Sequence, residues 1–238
     1  MKKIIIAVTG ILFSQLSFAQ KINDPNAEVR DAKDYHGIKI SSSFDVYITQ
    51  SNEESVAVSA SEKKYMDEIE VKVVNGILVI GLKDNKWLKR LNDSKMKLKA
   101  YISFKKIDKL DVSGACDIYL QGIVKADNLK IDLSGASDIK GEFNVQNLDV
   151  DLNGASDITI TGNASSLKVH ASGASDFKGY GLTTEYCDVN VSGASGVKIT
   201  VNKELSAKAT GASDVRYHGN GLIREVKTSG ASSVSRGG

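Results

Sequence analysis

The 238-residue chain is poor in the residues that staple small domains or hold metals: two cysteines, Cys116 and Cys187, three histidines and one proline, Pro25. So few cysteines exclude a disulfide framework, and His36 and His218 lie in unrelated polar stretches without metal-ligand spacing. A dominant charge is also missing. There are 31 basic and 29 acidic side chains, so no overall field draws the molecule toward nucleic acid. Long apolar runs are absent too. The one near the start, 4–13, is ten residues long, against the roughly twenty needed to span a bilayer. Preceded by Lys2 and Lys3 and followed by the small residues Ser17 and Ala19, it has the organisation of a secretory signal. Removal of 1–19 would leave Gln20 first, and no cysteine near that cut suggests lipidation. An exported protein is expected, in the periplasm or at the cell surface, with no transmembrane segment in the mature chain.

What the chain has in quantity is repetition. Variants of Ser-Gly-Ala-Ser-Asp recur at Gly114, Gly135, Gly154, Gly173, Gly193, Gly211 and Gly230, at intervals of 21, 19, 19, 20, 18 and 19 residues. A period of that size marks one turn of a stacked array. Aligned on the glycine, the position four before it holds Leu110, Ile131, Val150, Val169, Val189, Ala207 and Val226. The position four after it holds Ile118, Ile139, Ile158, Phe177, Val197, Val215 and Val234. Period-2 apolar positions on both sides of a Gly-Ala bend predict two short strands per coil, with inward side chains stacked from coil to coil. Parity also turns Cys116 and the six serines that follow it in their column inward, as a half-buried ladder of hydroxyls. Ile38, Ile40, Ser42, Phe44, Asp45 and Val46 fit the same frame as a degraded eighth copy. A lone coil cannot bury its apolar side, so the core exists only through stacking.

The expected fold is therefore all-β: a single-domain parallel β-helix, or solenoid, with coils of about 19 residues over 111–238 and a more irregular N-terminal part over 35–110. Residues 20–34 are polar and aperiodic and read as a linker. Within the irregular part, alternating strands flank Asn75-Gly76, a hairpin signal, and 63–68 reads as a short helical turn. The last coil has Arg224 and Thr228 where earlier coils carry larger apolar groups, so no cap is visible there and self-association through that coil is open.

Three sets of residues are candidates for function. An outward aspartate column, Asp117, Asp138, Asp157, Asp176 and Asp214, would place carboxylates about 4.8 Å apart. Either backbone N–H groups of each bend offset their repulsion, or calcium sits between coils; no other cofactor is indicated. A second column, Asp111, Asp132 and Asp151 followed by His170, offers the only plausible carboxylates for a polysaccharide hydrolase or lyase. A regular solvent-facing row, however, gives its members similar environments rather than the unlike ones that acid and base roles need. Third, 83–110 carries 10 basic and 3 acidic groups. Its Lys86, Trp87, Lys89, Arg90, Lys97, Lys99 and Tyr101 are either a solvated strand face, with lysines guarding an edge, or a site for acidic polysaccharide or lipopolysaccharide with aromatic stacking surfaces. Cys116 and Cys187 stand three coils apart, too far to bridge, and are expected to be free.

Phe44, Asp45, Val46, Tyr47, Ile48, Thr49 and Gln50, then Val74, Asn75, Gly76, Ile77, Leu78, Val79 and Ile80, then the repeated Ser-Gly-Ala-Ser-Asp, together resemble the autotransporter-adhesin head GIN domain family. The resemblance runs from Tyr35 to the end of the chain. It implies a secreted, adhesin-like β-solenoid of Gram-negative envelopes without an established activity, and it carries over no catalytic residues; the repeated Ser and Asp face itself suggests a non-catalytic scaffold that engages an envelope glycan or surface protein by many weak contacts.

Overall fold

Alternating apolar and polar residues produce strands along most of the chain. The computed structural model describes residues 24–83 and 96–237. Sixteen strands among them join into one sheet that winds about seven turns. The N-terminal part comprises β1 (Glu28–Arg30), β2 (Gly37–Ile40), β3 (Asp45–Gln50), β4 (Ser55–Ala60), a single helical turn α1 (Lys63–Met66), β5 (Ile69–Val74), β6 (Ile77–Leu82), β7 (Leu98–Phe104) and β8 (Lys109–Val112). Asn75 and Gly76 have φ of 51° and 74°, the left-handed geometry of a two-residue hairpin turn, and β5 and β6 pair antiparallel around them.

Strands β2 and β3 already pair by coil. Ile38 lies between Leu78 and Leu110, and Ile40 between Ile80 and Val112, in parallel ladders. On the other face Val46 lies between Ala100 and Ile118. The degraded copy is thus a true coil. Ser42 occupies the glycine site at φ 87°, and its carbonyl accepts the Ala115 N–H, as Gly114 accepts that of Ala136.

The regular array follows as β9 (Asp117–Leu133), β10 (Asp138–Leu152), β11 (Asp157–Ala171), β12 (Asp176–Val191) and β13 (Gly196–Gly211), each one long strand bent over a corner. They pair parallel in chain order, with Ile118, Ile139, Ile158, Phe177 and Val197 in one column and Ile131, Val150, Val169, Val189 and Ala207 in another. The final coil is broken into β14 (Asp214–His218), β15 (Leu222–Gly230) and β16 (Ser233–Arg236). Its Leu222 is 72% exposed, and Ile223 and Val226 are also open.

Three expectations change. First, the linker contains β1, which pairs antiparallel with β4; three residues are too few to show a period. Second, the lysine-bearing strand β7 is not an edge, because it lies between β3 and the antiparallel β4. Third, five serines of the column are fully buried rather than half-buried: Ser137, Ser156, Ser175, Ser195 and Ser213 are at most 2% exposed, while Ser232 of the last coil is half-buried as expected. The bend closes over each hydroxyl and uses it. Ser175 Oγ shares its proton between Ser172 O at 3.2 Å and Gly154 O at 3.3 Å, and accepts the Ser156 N–H at 3.3 Å. An unmade bond there would leave a buried N–H orphaned, which is why the column is serine and not alanine. The outward hydroxyls are those one residue before each glycine, such as Ser134 and Ser172.

Cys116 heads this serine column and Cys187 sits between Leu167 and Leu205; both are free and buried. Burial pushes the Cys116 thiol up to about 11 and the Cys187 thiol up to about 12. Unfolding returns them to about 8.5, so between those limits the unfolded state has lost protons that the folded state keeps. Stability is therefore full below about pH 8.5 and falls as pH rises, by up to about 1.4 kcal/mol per pH unit for each thiol. Denaturant midpoints measured from pH 7 to 11 should be flat and then decline. A thiol reagent at pH 7.5 should label neither cysteine until denaturant is added.

Candidate functional site: the outward columns and the corner groove

Because equivalent residues lie over one another, each outward position becomes a column along the solenoid. After the bend runs the aspartate column, Asp45, Asp117, Asp138, Asp157 and Asp176, interrupted by Gly196 and resumed at Asp214, with Lys99 below Asp45. Beside it, Tyr47 stacks between Tyr101 and Tyr119 with centroids 5.4 Å apart on either side. That column then continues as Lys140, Thr159, Lys178, Lys198 and Arg216. These cations offset the carboxylate repulsion: Lys178 Nζ is 2.6 Å from Asp157 and 3.7 Å from Asp176, and Arg216 is 2.7 Å from Asp214. Asp117 and Asp138 form no close ion pair among the described residues, although the Lys178 ammonium also feels Asp138. Asp117, ahead of burial and Asp45, pushes the Tyr119 phenol upward.

Before the bend, two columns form a checkerboard of charge. Asp111 pairs with Lys39 at 3.0 Å, Asp132 with Lys130 at 3.4 Å and Lys109 at 3.5 Å, and Asp151 with Lys130 at 2.7 Å. Partial burial pushes the Asp151 carboxyl up, but the Lys130 ammonium outweighs it and holds the group below the usual carboxylate range. Each of the three carboxylates considered for catalysis thus faces a lysine. The one group of three metal-ligating side chains converging within 4.8 Å, among the described residues, is Asp149, Asp151 and His170.

The basic segment is divided by its own strand. Lys86, Trp87, Lys89 and Arg90 lie outside the described residues. Lys97, exposed, precedes β7, and Lys99 Nζ is 3.9 Å from Asp24. The Tyr101 hydroxyl donates to Asp24 at 2.9 Å, so the linker covers this end; burial first, then that bond, push the phenol well above its ordinary value.

At the other end of β7, about 20 Å away by strand rise, Lys105 and Lys106 meet Lys125 and His36 around a groove of about 620 Å³. Gln50 ties this corner together. Its Nε2 donates to Lys105 O at 3.1 Å and Lys125 O at 3.0 Å, and its Oε1 accepts the Lys125 N–H at 2.7 Å. His36 Nδ1 lies 2.9 Å from the Asp108 carboxylate. Sequence reasoning took His36 as an isolated surface residue and did not single out Lys125. The hint was the outward column seven before each glycine, Asn128, Asn147, Ser166, Tyr186 and Glu204, polar throughout.

Fold and faces define a class: a short-coil parallel β-solenoid whose outer surface is a set of straight, mixed-charge columns. Within that class, the chain belongs to the family described as "Putative auto-transporter adhesin, head GIN domain", whose model matches residues 34–221. No curated protein matches it. Among solved structures, a "putative adhesin" from Bacteroides fragilis is similar at 19% identity and TM-score 0.80, over 88% of this chain and 95% of that one. A "putative lipid binding protein" from Parabacteroides distasonis is similar at 18% identity and TM-score 0.68, over 90% and 98%. A "putative adhesin" from Parabacteroides merdae follows at 16% and 0.60, over 89% and 95%. At these identities the likeness concerns the fold. No helix among the described residues is long and apolar enough to cross a membrane.

Proposed function

We propose that the protein is a non-catalytic, adhesin-like binding protein of the cell envelope. It is exported by residues 1–19 and holds a glycan or surface-protein partner through many weak contacts along its outward columns. The observation that carries this reading is the register itself: stacking sets equivalent positions about every 4.8 Å, five of them in a row aspartate from Asp45 to Asp176, so a weak contact is multiplied. Family membership supports an adhesin-like role. Lysine pairing of Asp111, Asp132 and Asp151 supports the absence of catalysis, since none is arranged to hold a proton. Asp117 and Asp138 are the positions where calcium would add to the site, while Asp157 and Asp176 already share Lys178.

A glycan and envelope-protein array probed with the chain lacking 1–19, with and without calcium, tests the reading. Selective binding to surface components is expected, with no product released from any bound polysaccharide. Polysaccharide cleavage that disappears in Asp151→Asn would overturn it in favour of an enzyme. Light scattering of the same samples reports the third reading, self-association through the exposed Leu222, Ile223 and Val226, as a mass that grows with concentration.

A further inference from the structure

The groove at Lys105, Lys106 and Lys125 does not end there. A second hollow of about 340 Å³ shares Asp108 and Asn128 with it, and a third shares Ser166 and Lys168 with the second. The three lie end to end along the solenoid axis, over the corner of each coil that is not the Gly-Ala bend. Their floor is the column Asn128, Asn147, Ser166, Tyr186 and Glu204, held in parallel register. Four rungs at about 4.8 Å make a track of about 19 Å.

Its chemistry is uneven along that length. The wide end has three lysines without a carboxylate partner among the described residues, while its Asp108 is taken up by His36, leaving Asp127 as the remaining acid. The middle mixes amide and hydroxyl with charge of both signs: Asn128, Asn147 and Ser166 line it together with Lys130, Lys168 and Asp149, and Asn147 Nδ2 donates to Asn128 Oδ1 at 2.8 Å, the other donor and acceptor positions of both amides having no partner among the described residues. Exposed apolar side chains are nearly absent from these two stretches, since Ile107, Leu129 and Leu148 are buried. That lining does not suit an acyl chain or the apolar side chains of a peptide, which need pockets. It does suit a chain of hydroxyls with anionic substituents, which exchanges water for amide hydrogen bonds and pairs its charges with lysine.

We propose that this corner groove binds an acidic polysaccharide, laid along the solenoid axis, with carboxylates at Lys105, Lys106 and Lys125 and hydroxyls on the Asn128–Asn147 ladder. The inference deepens the adhesin reading and rests on it. It moves the site from the outward aspartate face to the opposite corner, and it names the ligand class. Gln50 is a positioning residue, because it fixes the backbone of two of the lysines.

The test is calorimetric titration of the chain lacking 1–19 with polygalacturonate at 0.15 M salt, alongside neutral dextran and, as a non-glycan polyanion, polyglutamate. Polygalacturonate should bind and dextran should not. Lys105→Ala/Lys106→Ala/Lys125→Ala should weaken that binding at least about tenfold, three exposed pairs being enough for this. Asn147→Ala should weaken polygalacturonate about fivefold, as expected for one lost hydrogen bond, and leave any polyglutamate binding unchanged. Lys72→Ala, on the hairpin strand β5 and lining none of the three hollows, should have no effect; unchanged melting temperatures show that the variants are folded. The groove assignment is overturned by absence of polygalacturonate binding, by binding that the triple variant leaves intact, or by polyglutamate binding equally well with equal loss in Asn147→Ala. In each of those cases continued binding of other envelope components on the array leaves the adhesin reading standing.

Discussion

Phe177→Ala should destabilise the protein by about 4 kcal/mol, the middle of the range for a buried aromatic ring. The side chain is fully buried in the column that holds isoleucine or valine in the other regular coils. Its larger ring fits because Gly179, on the same strand, has no side chain. A Cβ built there would lie 2.3 Å from the ring. Removing the ring therefore leaves a void that Gly179 cannot fill, and the coils above and below are tied by ladders that prevent collapse. Because a solenoid couples each coil mainly to its neighbours, the loss should appear first as faster hydrogen exchange in β11, β12 and β13. Phe177→Leu, which keeps most of the volume, should lose less than half as much. Equal exchange rates in wild type and Phe177→Ala would contradict this packing.

Gly154→Ala should cost about 3 kcal/mol, for two reasons that a paired variant separates. Gly154 has φ of 85°, where an alanine pays roughly 1–2 kcal/mol. A Cβ would also stand 2.5 Å from the Gly135 carbonyl oxygen, a backbone atom fixed by its bond from Ala155. Gly122 has φ of 83° and nothing within 4 Å of the built Cβ, so Gly122→Ala should show the conformational cost alone. A difference of about 1–2 kcal/mol between the two midpoints measures the clearance that stacking imposes.

Most of the array could be read in advance because its information is local and repeated. Seven glycines in register predicted which side chains point inward, and the parallel ladders place them so. The same frame located the degraded coil through Ile38, Ile40 and Phe44, and set Cys187 among leucines. Where the reading went astray, a local pattern was asked a question about surroundings. Parity correctly turned the serines inward, but how completely a bend closes over a hydroxyl depends on the coil beneath. Lysines on alternate positions of β7 looked like a guarded edge, yet β4 folds back to cover that side.

The sequence alone determined the coil: its length, its bend and its inward columns. Tertiary structure alone decided what those coils bring together. Strand β2 enters between β6 and β8, and β3 between β7 and β9, so stacking order departs from chain order in the N-terminal part. That interleaving carries His36, Gln50, Lys105 and Lys125 to one corner, and no period links them. Periodicity reports which way a side chain faces along its own strand; which other strand lies beside it is settled by where the chain returns, and that depends on contacts far apart in sequence.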